Sequence, residues 1–450
     1  MGSRLRWRTL GALLLLAIVA SAPLGAQGLR EQISDLFIFG PGQDPLFLAG
    51  TADPNNPASI QAHGDHFVPA ASAANGTMIS FLTDAIGGNV ANVPLGATSG
   101  SQTFRFEGGV PVKTSVSAGP VFGERAQTLG KGRILAGINR TSLHFESLRG
   151  VDLDDIQLTF THENVNFPGC DTLFGGDCKQ MGIPAVENDI MQFQLSLRID
   201  VDVTSFYVAY GLLDRLDVGL VVPLVSTQVE GHSTAQIIPF GGPTATHFFA
   251  GTPENPVLSA TRSTTGSSFG LGDVAVRLKL NVRQSPRTSV SLFGDARLPT
   301  GGEDDLLGSG SFSARGLAVF SARFGTFAPH LNAGYLYRND KRQNDAVLGT
   351  LGFDQLLGDR VTMAVDLVSE LQVGDSKLQL PGPVQYDAPF HRTITPTTIP
   401  NMRDDIFDGS FGFKFSAADG LALIANALFP LNEGGLRPGV SYTVGVEYGF

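Results

Sequence analysis

The chain has 450 residues, a net charge of −11, 42% hydrophobic but only 16% charged residues, and 55 glycines and 31 phenylalanines beside a single Trp. The acidic balance argues against a nucleic-acid partner, which wants basic patches. Two cysteines exclude a disulfide-dense scaffold, while length alone permits two or three soluble domains and decides nothing.

Arg4, Arg6 and Arg8 precede an apolar run from Leu10 to Ala20, and small residues follow. That order is a secretory signal peptide, with cleavage expected after Ala26, so residues 1–26 are assigned to it. The run is shorter than the roughly 20 apolar residues of a spanning helix. No later stretch supplies one, so membrane residence has to come from strands.

Residues 27–132 form a loop-rich leader. Asp53–Pro57, Ala71–Gly76 and Leu95–Gly100 are turn chemistry, Met78–Ala85 suits a short helix and Thr103–Phe106 a short strand. Ahead of a barrel, such a leader suits a plug or hatch in the lumen, or else a small periplasmic module. His63, Asp65 and His66 have no further ligands at characteristic spacing, so no metal or other cofactor is assigned.

From residue 133 onward the pattern is amphipathic strand, tight turn, amphipathic strand, longer loop. Met191, Phe193, Leu195, Leu197, Ile199, Val201 and Val203 alternate with polar residues. The apolar phase then moves to Phe206, Val208 and Tyr210, which predicts a bulge near Thr204 or Ser205. Val274, Val276, Leu278, Leu280 and Val282 oppose Asp273, Arg277, Lys279, Asn281 and Arg283. Twelve strands are predicted, at about 133–146, 189–209, 215–230, 269–284, 287–299, 312–324, 327–339, 344–356, 360–373, 402–416, 420–430 and 437–450.

Most of these runs match the roughly 9–11 residues that cross a bilayer at a tilt. Short joints near Gly211–Asp214, Gln284–Pro286, Gly325–Thr326, Gly358–Asp359 and Ala417–Gly420 alternate with longer ones. With the carboxy-terminus in the periplasm, all the tight turns fall on the periplasmic side. The reading is an all-β fold, a transmembrane antiparallel up-and-down barrel of about 12 strands over 133–450. The count becomes fourteen if residues 101–107 and 155–162 join the wall. The last strand, Val440–Phe450, ends on an aromatic and resembles the closing strand of bacterial outer-membrane barrels. That likeness implies the bacterial outer membrane as location, lipid as surroundings, and Tyr448 and Phe450 as a signal to the barrel assembly machinery.

Further pieces are similar to one outer-membrane family. Ser117–Gly132 resembles the segment leading into the first strand of proteins of the phenol meta-degradation pathway. Tyr210–Leu224, with Tyr210, Gly211, Asp214, Arg215, Val218, Gly219 and Pro223, is similar to its hairpin. Gly270–Val274 and Leu298–Gly301 match two shorter signatures. The family is similar to long-chain fatty-acid and aromatic-hydrocarbon transporters. The resemblance implies a hydrophobic small-molecule substrate, possible aromatic cargo included, taken up passively or through a gate.

Inward positions on the predicted wall are Arg198, Asp200, Asp202, Asp217, Asp273, Arg277, Lys279, Asp295, Arg297, Arg315, Arg323, Asp366, Glu370, Lys414 and Glu447. Both signs in one confined space suggest an internal ion-pair lattice, with a transport ladder as the sharper reading. Phe174, Met181, Phe240, Phe248 and Phe249 are candidate ligand contacts at the mouth, or loop-packing residues. Cys170 and Cys178 are a candidate disulfide clipping one external loop. No nucleophile–base pair is identified by spacing, so no enzyme is expected. The reading is a channel for hydrophobic small molecules, and the alternative is a structural or adhesive barrel without transport.

Overall fold

A computed structural model describes residues 27–37, 39, 85–86, 89, 104–107, 110–113, 119, 122–161, 189–239, 247–252, 254–378, 380, 383–386 and 391–450. Twelve antiparallel strands close into a barrel. They are β1 Ile134–Leu148, β2 Ile190–Leu213, β3 Leu216–Ile238, β4 Ala275–Gln284, β5 Thr288–Arg297 and β6 Ser313–Ala322. β7 Phe327–Arg338, β8 Ala346–Leu357, β9 Val361–Gln372, β10 Ile406–Ala418, β11 Leu421–Pro430 and β12 Ser441–Gly449 complete the wall. Each pairs with its neighbours in sequence, and β12 returns to β1 with Val446 opposite Ile138. Ile134 and Phe450 exchange both backbone hydrogen bonds at 2.9 Å, so the closing strand leaves no open edge.

Segments 104–107 and 110–113 pair with each other and, among the described residues, with no wall strand. Ile156–Thr161 joins the sheet along the far end of β2 and is no separate wall strand. The predicted strand at 269–284 is two. Ser259–Leu271 pairs with the upper part of β3 and β4 with its lower part. Between them the register moves by one residue, from Leu271 opposite Leu224 to Ala275 opposite Val221. This bulge-like slip exchanges the inward and outward positions.

No bulge lies at Thr204 or Ser205: β2 pairs with β1 and β3 without interruption there. The phase change has another cause. β2 and β3 are 24 and 23 residues long. At a tilt of about 45° that is roughly 55 Å of height, more than twice the roughly 25 Å apolar band of a membrane barrel. The hairpin must therefore stand clear of the band at its long-loop end. The outward residues change character along it. On β2 they run Tyr210, Val208, Phe206, then Thr204, Asp202, Asp200 and Arg198; on β3 they run Leu220, Val222, Leu224, then Ser226, Gln228 and Glu230. The same faces continue, but the surroundings on both sides of the wall change.

The inner face reverses in step. Met191, Phe193, Leu195, Leu197, Ile199, Val201 and Val203 are buried inside the tall end. They pack around helix α1, Leu29–Asp35, with its Leu29 and Ile33 and the following Leu36, Phe37 and Phe39. Phe37 stacks on Phe193 at 4.8 Å between ring centroids. A pair of that kind adds about 0.5–1.5 kcal/mol beyond burial. Leu36 packs closely over Gly231, where a Cβ would come within 2.5 Å of Leu36 Cδ1 and the leucine would have to shift. Ser233 Oγ donates to the Leu36 carbonyl at 2.6 Å, and Leu306 and Leu307 of the 299–312 loop close the cluster. The tall end is built like a soluble protein, apolar inside and polar outside; the rest of the wall is the reverse.

Candidate functional site

In the shorter part of the barrel the inner face is polar. β4 buries Arg277, Lys279 and Asn281, while Val276, Leu278, Leu280 and Val282 stand exposed on the outside. Burying so many charges requires partners within reach, and the segment before β1 supplies several. Residues 122–132 run across the lumen toward its tight-turn end. Glu124 pairs with Lys279 of β4 at 2.6 Å, and Arg125 pairs with Asp354 of β8. The Ala126 amide donates to Ser321 Oγ at 2.9 Å, and its carbonyl accepts from Asn281 Nδ2 at 2.7 Å and from Ser291 Oγ. The Leu129 amide donates to Asp217 Oδ2 at 2.9 Å. One strap thus touches β3, β4, β5, β6 and β8. Where it reaches β2, Gly132 N donates to the Gly211 carbonyl at 2.7 Å. A Cβ on Gly211 would overlap the Gly130 carbonyl, which explains a glycine within that hairpin.

Other inward charges form local sets. Asp295 receives Arg277 Nε at 2.9 Å, Arg297 Nε at 3.2 Å and Arg315 Nη2 at 3.4 Å. Lys414 meets Glu447 at 3.4 Å, and Tyr207 Oη donates to Glu447 at 3.3 Å. His330 Nε2 lies 2.7 Å from Asp366 Oδ1. Glu370 pairs with Arg338 nearer the long-loop end. Asp273 sits at the register slip, where it accepts from the Gly301 and Ser309 amides and holds the 299–312 loop.

Four positions depart from the sequence reading. Arg198, Asp200 and Asp202 stand on the outer face of β2 above the apolar belt, where Asp200 binds His144 and Asp202 binds Arg140. Alternation alone pointed them inward, because it assumed that the apolar face meets lipid along the whole strand. Arg323 follows β6 at the tight-turn rim and donates to the Pro286 carbonyl at 3.4 Å. The mouth residues also differ: Phe248 is buried, and Phe249 packs on Phe39 at 5.8 Å. Phe249 packs against the cluster around α1. Phe174, Met181, Phe240, Cys170, Cys178 and the His63–His66 stretch lie outside the described residues. Tyr448 and Phe450 stack at 5.5 Å on the outer face beside the tight turns.

Alternation gave no signal for the strap. Glu124, Arg125 and Ala126 carry no strand or helix periodicity, and their value lies in what the closed wall places opposite them. An apolar hollow of about 440 Å³ lies on the lipid-facing wall across β12, β1, β2 and β3, lined by Ile138, Phe206, Val208, Leu220, Val446 and Tyr448. At its floor the space beside Gly137 is taken by the Tyr207 ring.

No curated protein matches the chain. Among solved structures, an outer-membrane channel from Pseudomonas putida F1 is 11% identical with a TM-score of 0.40, covering 72% of this chain and 98% of that one. A Pseudomonas aeruginosa FadL homologue is 9% identical with a TM-score of 0.33, covering 71% and 89%. A deletion mutant of TodX, a monoaromatic hydrocarbon channel, is 10% identical with a TM-score of 0.33, covering 75% and 97%. Over residues 192–373 the chain matches the family described as "Putative MetA-pathway of phenol degradation", a stretch that holds the Tyr210–Leu224, Gly270–Val274 and Leu298–Gly301 segments but not Ser117–Gly132.

Proposed function

We propose that this protein is an outer-membrane channel for hydrophobic small molecules, aromatic ones included. The observation that carries the reading is a closed barrel whose outer belt is apolar and whose lumen is polar and crossed by a tethered strap. The aromatic part rests on the family match over residues 192–373. In this reading residues 1–26 are a signal peptide, 27–132 a leader whose last part obstructs the lumen, and the tight turns face the periplasm. Residues 122–132 gate the path through ion pairs and hydrogen bonds, with no covalent link to the wall other than the chain itself. Proteoliposomes with the purified chain are expected to take up toluene faster than protein-free ones. Equal rates would overturn the reading.

A second reading, a barrel serving as a structural or adhesive surface element, draws on the same strap. Its buried pairs Glu124–Lys279 and Arg125–Asp354 favour a lumen that stays shut. Single-channel recording separates the two: openings support a channel, and silence under all voltages supports the structural element.

A further inference from the structure

The tight-turn rim of the barrel carries its charge unevenly. Lys131 and Arg133 precede β1, Arg215 lies in the β2–β3 turn, Arg283 at the end of β4, Arg287 in the β4–β5 turn and Arg323 just after β6. The joints that hold them contain one carboxylate, Asp214. This runs against the chain as a whole, whose net charge is −11. Across the rim, by contrast, Arg360 stands with Asp359 and Asp419. Hydrogen bonds from backbone amides link the basic positions into one arc. Lys131 N donates to Asp214 Oδ1 at 3.3 Å, Asn281 N to the Arg215 carbonyl at 2.8 Å, and Arg323 N to the Arg287 carbonyl at 2.9 Å.

Arg323 is tied to the Pro286 carbonyl and Arg133 is engaged as well. The other four are open. Lys131, Arg215, Arg283 and Arg287 are exposed, and among the described residues their side chains form no ion pair or hydrogen bond. Cations gathered along one edge raise the local potential and draw an anion. The same joints also expose large apolar side chains. Leu212 and Leu213 precede Asp214 and Arg215, Val282 precedes Arg283, and Phe324, 61% accessible, follows Arg323. A soluble acidic partner would answer the cations alone. A lipid interface takes both kinds of side chain, because basic groups reach phosphates on long apolar stems while their apolar neighbours enter the acyl boundary.

We propose that this arc is a docking surface for the headgroups of anionic phospholipids in the leaflet at the tight-turn end. Lys131, Arg215, Arg283 and Arg287 meet the phosphates, and Leu213 and Phe324 enter the upper acyl chains. The surface is independent of the channel reading and needs only that the barrel sits in the outer membrane. It gives the wall a lipid preference on the side of β1 to β6, which the far side of the rim does not share.

The test is titration of the full chain, purified in a mild detergent, with phosphatidylglycerol and with phosphatidylcholine, the retained lipid being counted by native mass spectrometry. Each cation beside an anionic headgroup is worth about five-fold in binding. Phosphatidylglycerol is therefore expected to bind at least about ten-fold more tightly than phosphatidylcholine, and Arg215→Gln with Arg287→Gln to weaken it about 25-fold. Raising the salt to about 0.5 M should remove most of the preference. Arg360→Gln, across the rim, should change phosphatidylglycerol binding by less than about two-fold. The replaced side chains are exposed and the variants are expected to fold, as judged by heat-dependent gel mobility. Arg287→Gln alone, with a loss of about five-fold, decides the matter if the double variant does not fold. Equal retention of the two lipids, or equal phosphatidylglycerol binding by wild type and Arg287→Gln, overturns the docking surface. A loss in Arg360→Gln as large as in Arg287→Gln overturns the arc in favour of general charge attraction. Displacement of phosphatidylglycerol by an equal concentration of polyglutamate overturns lipid as the occupant and assigns the arc to an acidic protein.

Discussion

At the scale of single residues, the strap is held by charge placed where water is scarce. Asp354 is completely buried at its side chain and Arg125 nearly so. Arg125→Ala takes the ion-pair partner away from a buried carboxylate and is expected to destabilise the closed strap by about 3–5 kcal/mol. Removing both, as Arg125→Met with Asp354→Leu, should restore much of that stability. Single-channel conductance should rise in Arg125→Ala and return toward wild type in the double variant. A contrasting case lies in the loop before β10. Arg403 Nε donates to Asp405 at 2.9 Å, and the Gln372 amide donates to the same carboxylate at 2.8 Å. The Arg403 guanidinium holds the Asp405 carboxyl below the ordinary range, and the Gln372 amide adds to this. A depressed carboxyl stabilises the fold above its unfolded-state value and loses that contribution as pH falls through its folded value. Amide exchange around residues 403–405 is therefore expected to quicken on acidification; unchanged protection would remove Asp405 from the docking of this loop.

At the scale of elements, the β2–β3 hairpin and α1 behave as a small soluble core set on top of a membrane wall. Helix α1 is too short to be stable alone, and its order depends on Leu29, Ile33, Phe37 and Phe39 meeting the inner face of the hairpin. Phe193 touches Phe37, Phe39 and Phe160. Phe193→Ala is expected to cost about 3–5 kcal/mol of that packing. The barrel should remain in the membrane while Leu29–Phe39 becomes open to protease; loss of the whole barrel would mean that the two parts are not separable. This hairpin is also where reading the sequence went astray. The alternation of Met191–Val203 was plain, but alternation names two faces without saying which is inside. The wall extends beyond the lipid here, and Arg198, Asp200 and Asp202 therefore stand in water on the outside.

At the scale of the molecule, the apolar belt has an edge that can be mapped. On β2 it lies between Phe206 and Thr204. Val208→Arg is expected to cost roughly 2–4 kcal/mol if it sits near the bilayer midplane, and less toward the edge. Asp200→Ala should shift stability by no more than about 0.5 kcal/mol. Urea titration of the refolded barrel in liposomes checks both, and equal costs would misplace the edge. Deleting Phe450 removes both of its backbone bonds to Ile134 and the ring stacked on Tyr448. Slower assembly into the membrane is the expected result, read as the fraction of heat-modifiable barrel.

The sequence by itself determined the class, the strand number and nearly every strand position, because a period of two repeated between tight turns is a local property that needs no partner to be read. It also placed Arg277, Lys279 and Asn281 on one face of β4 and the apolar residues on the other. Tertiary structure decided what no local period contains. It decided which residues the strap meets, since Glu124 and Lys279 lie far apart in the chain and come together only when the wall closes. It decided where the wall leaves the lipid, since that depends on the height of β2 and β3 relative to their shorter neighbours. It also set three arginines around Asp295, through the register of β4, β5 and β6, where one residue of slip would have turned them outward.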